Sequence, residues 1–297
     1  MARFFRTLKL ALWRAFEHDA LGHAKGSAFS SILTFFPALM LGTSLMLMFD
    51  STRAFADELA RDLGRFLPPG SGIAIRTYFE ITQARPVRVL ILASVVTLWT
   101  SSGVMTSWML YFRLAYKMTN TWGLIKERLI AFGLVVMAGV PLSFATVMVA
   151  FGNEIEQRFA EQMAYELGHL VEPYIILLWT ILRWIIASLT GVAVMALIYH
   201  HAVPRTQRWH SVLPGAALAT GLWFPATVGF GYYVRHFAQY SLFYGSLAAA
   251  IVLLVWLYII SVIILIGAEF NAVLYPRAMA TGETTIIPVT PRKKKAR

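Results

Sequence analysis

The sequence predicts an all-α integral membrane protein: a six-helix transmembrane bundle with both termini cytoplasmic and amphipathic helices in the N-terminal arm and the first outer loop. Two observations support this. Of the 297 residues, 58% are hydrophobic and only 14% are charged, whereas soluble domains carry about a quarter charged residues. Six apolar segments also occur, and each exceeds the roughly 20 residues that a spanning helix needs. Outer-membrane strands would instead show short alternating segments.

The six predicted spans divide the chain into three regions. We predict a cytoplasmic amphipathic arm at 1–27, a membrane domain at 28–276 and a basic, disordered cytoplasmic tail at 277–297. The predicted spans are 28–49, 89–112, 129–152, 174–199, 212–234 and 245–268.

The placement of basic residues predicts the orientation. Outside the spans, seventeen Lys and Arg residues fall on the side of the two termini and eight on the other side. The more basic loops of membrane proteins remain in the cytoplasm. The sequence therefore predicts that both termini are cytoplasmic.

The N-terminal arm has the pattern of an interfacial helix. Basic residues alternate with large apolar residues near helical spacing, namely Phe4, Phe5, Leu8, Leu12, Trp13 and Phe16. Such a helix lies on the bilayer surface and attracts anionic lipid. A plain folded cap on the bundle is the alternative. The basic tail predicts the same attraction to anionic lipid, and neither segment favours nucleic-acid binding.

Two outer segments are too long for simple turns. Segment 50–88 has the spacing of two amphipathic helices separated by Pro68-Pro69-Gly70. The acidic segment 153–173 is expected to extend the flanking helices above the membrane. A proline lies near the middle of each outward-running span, at Pro37, Pro141 and Pro225. This indicates either three related hairpins or the ordinary occurrence of proline in membrane helices.

Arg183 is the candidate substrate-binding residue. It lies about 13 Å below the outer start of the fourth span, at 1.5 Å per residue. A charge at that depth costs about 2.5–3.5 kcal/mol, so it faces the bundle, water or a partner. Other candidate binding residues at comparable depth are Thr97, Thr100, Ser101, Ser102, Thr34 and Pro37. The pattern predicts a point that binds an anionic headgroup or carboxylate, unless Arg183 snorkels to the outer interface.

Glu269 and Asn271 are predicted to have a structural role. The sixth span runs inward, which places Glu269 at the cytoplasmic boundary and roughly 20 Å in depth from Arg183. We therefore expect Glu269 and Asn271 to hold a cytoplasmic helix end, with Arg128 or Arg205 as the partner. Hydroxyl residues on the first two spans favour close packing over a pathway lining.

The sequence offers no site for enzyme chemistry. It contains no cysteine, and the adjacent His200 and His201 lack the i, i+4 spacing of a helical metal site. No phosphate loop, dinucleotide turn or nucleophile–base set is present. We therefore predict no catalytic residue, no metal and no cofactor.

Motifs in the last third of the chain carry a family resemblance. They are Pro214-Gly215-Ala216, Tyr244-Gly245-Ser246-Leu247, Trp256-Leu257-Tyr258 and Gly267-Ala268-Glu269-Phe270-Asn271-Ala272. With these motifs in order, the chain resembles the YihY/BrkB family of six-span bacterial inner-membrane proteins, formerly labelled the ribonuclease BN family. The resemblance implies an inner-membrane location and a link to envelope integrity, serum resistance or lipid-related export.

Two functions are compatible with the sequence. The first is a carrier or exporter of an amphiphilic or anionic component of the cell envelope. The alternative is a non-transporting scaffold for envelope integrity that recruits partner proteins. Ribonuclease activity is not expected, because RNA hydrolysis needs a water-exposed acid–base or metal site that the loops do not offer. The oligomeric state is left open.

Overall fold

The computed structural model describes residues 2–48, 86–118, 122–167, 172–204, 208–237 and 247–275. Within these ranges the chain forms seven α-helices and no strand. They are α1 Ala2–Glu17, α2 Ala20–Leu47, α3 Pro86–Ala115, α4 Leu124–Leu167, α5 Glu172–His201, α6 Trp209–Phe237 and α7 Leu247–Leu274. Helices α2 to α7 are each long and apolar enough to cross a membrane. The structure thus confirms the predicted all-α six-span fold.

The six spanning helices close into a ring. Each packs against its neighbour in the chain, from α2 to α7, and α7 packs back against α2. Helix α7 also contacts α3, and α1 lies against α7 and α2. Because successive helices alternate in direction, one end of the ring collects the starts of α2, α4 and α6 and the ends of α3, α5 and α7. We call this the α1 end.

A sharp turn at Asp19 separates α1 from α2. Asp19 has a left-handed backbone (φ 52°), and its carboxylate accepts a hydrogen bond from the amide of Gly22 at 3.1 Å. A Cβ at Gly22 would collide with that carboxylate. This cap starts α2 at Ala20, eight residues before the predicted span, because the membrane pattern begins later than the helix itself.

The helices extend past the apolar segments in other places as well. Helix α4 continues to Leu167, which confirms that the acidic segment extends a helix beyond the span. The three predicted mid-span prolines, Pro37, Pro141 and Pro225, all lie inside helices. The predicted amphipathic helices of the first outer loop, at 50–85, and the predicted tail, at 277–297, lie outside the described residues.

Helix α3 ends in a tight, well-bonded turn. Lys117 has φ 52°, and the amide of Met118 donates to the carbonyl of Arg113 at 2.8 Å. This is the hydrogen-bond pattern of a Schellman cap. The Arg113 side chain also forms an ion pair with Glu127 of α4 at 2.7 Å, and both side chains are largely buried. The cap and the ion pair fix the end of α3 to the start of α4.

The hydrophobic core is concentrated at the α1 end. Buried side chains come mainly from the last turns of α3, α5 and α7, from the first turns of α2, α4 and α6, and from α1. The largest are Tyr111, Phe112 and Tyr199. Toward the opposite end the described helices expose most of their large apolar residues, as membrane-facing surfaces do. Among the described residues, the α1 end is therefore the more tightly packed part of the ring.

Candidate functional site

A buried carboxylate lies at the centre of the α1 end. Glu269 of α7 is 0% exposed. The hydroxyl of Tyr111 on α3 donates to its Oε1 at 3.0 Å, and Nδ1 of His18 lies 2.6 Å from the same oxygen. Within the described residues, Oε2 of Glu269 is buried without a hydrogen-bond partner. One carboxylate thus joins α7, α3 and the turn between α1 and α2.

The local structure explains how these groups meet. His18 follows the last residue of α1, where the turn at Asp19 directs the chain back toward the bundle, and its side chain keeps 19% exposure. The ring of His23 lies edge-on to Tyr111, with 5.4 Å between the ring centroids. Glu269 therefore has aromatic and imidazole neighbours on the side of α2 and α3.

Of the two predicted partners of Glu269, Arg128 makes its contacts elsewhere among the described residues. The guanidinium of Arg128 lies 4.7 Å from the ring centroid of Trp99 and donates to the Trp99 carbonyl at 3.2 Å. Arg205 lies outside the described residues. The guanidinium of Arg128 therefore forms a cation–π contact with the Trp99 ring, and the neighbours of Glu269 are His18 and Tyr111.

Asn271 joins α7 to the start of α6. Its side-chain oxygen accepts from the amide of Gly215 at 2.6 Å, and its side-chain nitrogen donates to the carbonyl of Val212 at 3.0 Å. Asn271 is buried, so both bonds are shielded from water. These contacts connect α7 to α6, and the expected role of Glu269 and Asn271 at a cytoplasmic helix end stays a prediction.

Two glycines allow α6 and α7 to approach closely. A Cβ on Gly215 would collide with the carbonyl of Gly267 and with Asn271. A Cβ on Gly267 would collide with the hydroxyl of Tyr199 and lie 2.8 Å from the Gly215 carbonyl. That hydroxyl donates to the carbonyl of Ile264 at 2.7 Å. Small residues at helix crossings permit such backbone contact.

Arg183 lies in the other half of the ring. It is about 16 Å along α5 from Glu172, at 1.5 Å per residue, and its side chain is 7% exposed. Protein therefore covers most of Arg183, including its Nε atom. Nearby on α5, Trp184 packs edge-on against Phe224 of α6, with ring centroids 6.3 Å apart.

The predicted hydroxyl residues lie on α2 and α3. The hydroxyls of Thr34, Thr100 and Ser102 each donate to a carbonyl one turn earlier in their own helix, at 2.6–3.0 Å. Thr97, Ser101 and Pro37 are partly buried, and Ser102 is fully buried. A Cβ on Gly103 would lie 3.8 Å from the hydroxyl of Ser30, as expected for close packing of α2 on α3.

These candidates do not form one contiguous cluster. Within the described chain, α5 packs mainly against α4 and α6, whereas α2 and α3 pack against each other on the far side of the ring. Arg183 and the hydroxyl residues therefore lie at similar depth on different walls. A ligand that touched both would have to span the interior of the ring.

A long apolar groove runs along the outside of the α1 end. Its volume is about 870 Å³. The residues that line it are Phe4, Thr7, Pro214, Ala217, Leu218, Gly221, Leu222, Phe270, Leu274 and Tyr275. They come from α1, α6 and α7. Within it, the rings of Phe4 and Phe270 are in contact, with centroids 5.6 Å apart.

Comparison with known proteins identifies the family. The family model described as Virulence factor BrkB matches residues 11–286. The chain belongs to this family. It is a multi-pass membrane protein, and the resemblance inferred from the sequence motifs is confirmed.

The relatives of this BrkB-family chain carry few functional names. It is 24% identical to the "Putative ribonuclease-like protein YfkH" of Bacillus subtilis, over 88% of this chain and 92% of that protein. It is 28% identical to the "UPF0761 membrane protein RSc1559" of Ralstonia nicotianae, over 90% of this chain and 58% of that protein. It also aligns with a relative from Chlorobium phaeobacteroides and covers 55% of that protein's length. The chain thus spans little more than half of these two longer relatives. No solved structure matches it.

Sequence reasoning missed His18 and Tyr111 as partners of Glu269. His18 lies 251 residues from Glu269 in the chain and Tyr111 lies 158 residues away. One sequence signal was present: Glu17-His18-Asp19 is a polar group that interrupts the apolar pattern of the arm. Such a break marks a turn, and a turn can bring a polar side chain to a helix end.

Proposed function

We propose that this protein is a carrier or exporter for an anionic, amphiphilic component of the cell envelope. The observation that carries the proposal is the buried Arg183 inside a spanning helix. It has 7% exposure, so the protein keeps a cation within the membrane at a cost of about 2.5–3.5 kcal/mol. A fixed cation at that depth attracts the anionic headgroup of a lipid-like molecule.

The unequal packing of the ring supports the same function. The α1 end is closed by the core, by the crossing of Gly215 and Gly267, and by the contacts of Glu269. Arg183 lies in the other half, where fewer of the described side chains are buried. A bundle packed tightly at one end and holding a charged residue toward the other resembles one state of an alternating-access carrier.

The family and the distribution of charges support a location and an orientation. We propose a bacterial inner membrane, with the α1 end at the cytoplasmic face and both termini inside. The excess of Lys and Arg beside that end supports this orientation. We further propose that the protein acts without enzymatic chemistry, since the two buried carboxylates at the α1 end, Glu269 and Glu127, are engaged with His18, Tyr111 and Arg113.

A lipid-transfer assay tests the proposal. The purified protein is reconstituted into vesicles that contain trace fluorescent phosphatidylglycerol or, in parallel, fluorescent phosphatidylcholine, and an impermeant quencher measures transfer between leaflets. We expect the anionic probe to move faster than in protein-free vesicles and faster than the zwitterionic probe. Arg183→Gln is expected to slow the anionic probe about tenfold, which corresponds to about 1.4 kcal/mol, and Arg183→Lys is expected to slow it less.

Arg88→Gln is the matched control. Arg88 lies near the start of α3, at the same end of the ring as the start of α5, but its side chain is exposed. Arg88→Gln removes one positive charge, as Arg183→Gln does, and should leave the rate of lipid transfer unchanged. No transfer above protein-free vesicles, or equal rates for Arg183→Gln and the unaltered protein, would refute the proposed carrier function.

A further inference from the structure

We propose that the groove between α1, α6 and α7 is a binding site for one anionic phospholipid from the leaflet at the α1 end. The apolar walls would hold the acyl chains, and basic groups at the mouth would hold the headgroup. This inference does not depend on transport. A lipid could be bound at this place in a carrier or in a scaffold.

The groove has the dimensions of a lipid site in one leaflet. Its wall on α6 runs from Pro214 to Leu222, about 12 Å at 1.5 Å per residue. One leaflet of hydrocarbon is about 15 Å deep, half of the roughly 30 Å core. Its volume of about 870 Å³ falls within the roughly 300–1,000 Å³ of ordinary ligand sites. The groove therefore extends from the interface to near the bilayer centre.

Helix α1 makes this groove different from the rest of the ring surface. The buried face of α1 packs on the bundle through Ala11 and Ala15, and its outward side exposes Phe5, Trp13 and Phe16. An amphipathic helix with such a side lies in the membrane interface. Since α1 and α6 both pack on the α7 surface, a chain between them is held on three sides.

The charges at the mouth favour an anionic headgroup. Arg6 is exposed and adjoins Thr7 in the groove wall, and Arg208 is exposed immediately before α6. His210 packs against Tyr275 at the mouth, with 5.7 Å between ring centroids. The nearby acids are engaged elsewhere: Glu17 accepts from Trp13, and Glu269 is buried with His18 and Tyr111.

Photo-crosslinking identifies the occupant directly. Benzoylphenylalanine is placed at Leu218, inside the groove, or at Val228, which is exposed on the same helix but outside the groove. The full-length protein is reconstituted in vesicles of equal parts phosphatidylglycerol and phosphatidylethanolamine, irradiated and analysed by mass spectrometry. We expect phospholipid adducts at both positions, with the ratio of phosphatidylglycerol to phosphatidylethanolamine adducts about fivefold higher at Leu218 than at Val228, the factor expected from one basic group near the surface.

The charge contribution is tested in the same preparation. The double variant Arg6→Gln/Arg208→Gln is expected to return the headgroup ratio at Leu218 to that at Val228, while Arg88→Gln keeps the enrichment. Native mass spectrometry of the protein without the photoreactive residue provides a second measurement, since a large side chain at Leu218 could disturb packing. There we expect one phosphatidylglycerol to be retained, and the double variant to lose it.

Three results would overturn the inference. Equal headgroup ratios at Leu218 and Val228 would mean that the groove holds only bulk lipid. Crosslinks from Leu218 to the chain's own segment after Tyr275, or to a second copy, would assign a protein occupant. Failure to retain phosphatidylglycerol in native mass spectrometry would exclude a specific site. None of these results bears on transfer by Arg183, so this inference and the carrier proposal can fail separately.

Discussion

Replacing Gly267 with alanine tests the close crossing of α6 and α7. The added methyl would collide with the hydroxyl of Tyr199 and lie 2.8 Å from the Gly215 carbonyl and 3.0 Å from the Cβ of Ala219. Two of these neighbours are a backbone atom and a short side chain on the facing helix, so relief requires α6 to move. The third neighbour is the Tyr199 hydroxyl, whose bond to Ile264 is 2.7 Å long.

The expected destabilisation of the Gly267→Ala protein follows from two terms. Overpacking a close-packed interior costs about 1–3 kcal/mol. Displacing the tyrosine hydroxyl from its buried acceptor costs about 1 kcal/mol more. Alanine recovers up to about 1 kcal/mol through its better helix propensity. We therefore expect the free energy of unfolding to fall by about 1–3 kcal/mol, measured by equilibrium unfolding in mixed micelles with increasing denaturing detergent.

Gly133→Ala is the control for helix propensity. Gly133 lies in α4, and a Cβ there would meet no atom within 4 Å. This variant should unfold at the same detergent fraction as the unaltered protein, or at a slightly higher one. If Gly267→Ala were as stable as Gly133→Ala, the close crossing described here would be wrong. If both variants lost stability equally, the loss would reflect alanine itself rather than the crossing.

Three further predictions concern polar contacts and orientation. His18→Ala should lower the free energy of unfolding by about 1.5–3 kcal/mol, because it removes a hydrogen bond to a buried carboxylate. The control, His201→Ala, removes an exposed imidazole and should change the free energy of unfolding by under about 0.5 kcal/mol. Equal losses in the two variants would contradict the contact between His18 and Glu269. Arg113→Ala should cost about 3–5 kcal/mol by leaving Glu127 buried and unpaired. Arg113→Ala/Glu127→Ala should cost less than that single variant in the same unfolding assay, and a larger loss would contradict the ion pair. Fusions of alkaline phosphatase, which is active only outside the cytoplasm, should be inactive at both termini, and activity at either would reverse the proposed orientation.

The six spans could be predicted because hydropathy is a sum over about 20 residues. Errors at single positions hardly change such a sum, and the backbone in a bilayer has few alternatives to a helix. The start of α2 at Ala20 could not be obtained in this way. It depends on Asp19, whose carboxylate and left-handed backbone form a cap at one position.

The contacts between helices were much harder to predict than the helices. Glu269 was expected near the end of its span, because depth follows from counting residues along one helix. Its partners depend on which helices are neighbours, and nothing within α7 states that α3 and the turn after α1 lie beside it. The same contrast holds for Arg183. Its depth in the span could be predicted from the sequence, but the burial of its side chain could be seen only in the structure.

The motif from Gly267 to Asn271 illustrates why a family resemblance can indicate architecture without indicating a substrate. Within five residues, Gly267 meets α6 and Tyr199 of α5, Glu269 meets α3 and His18, and Asn271 bonds to the start of α6. The ring of the intervening Phe270 packs against α1. One short segment therefore positions four other helices. A change in any of these residues would disturb the packed end of the ring whatever the protein carries. Substrate choice is then expected in the opposite half, where Arg183 can be exchanged without altering these contacts, and for this reason charge variants there are the informative ones for function.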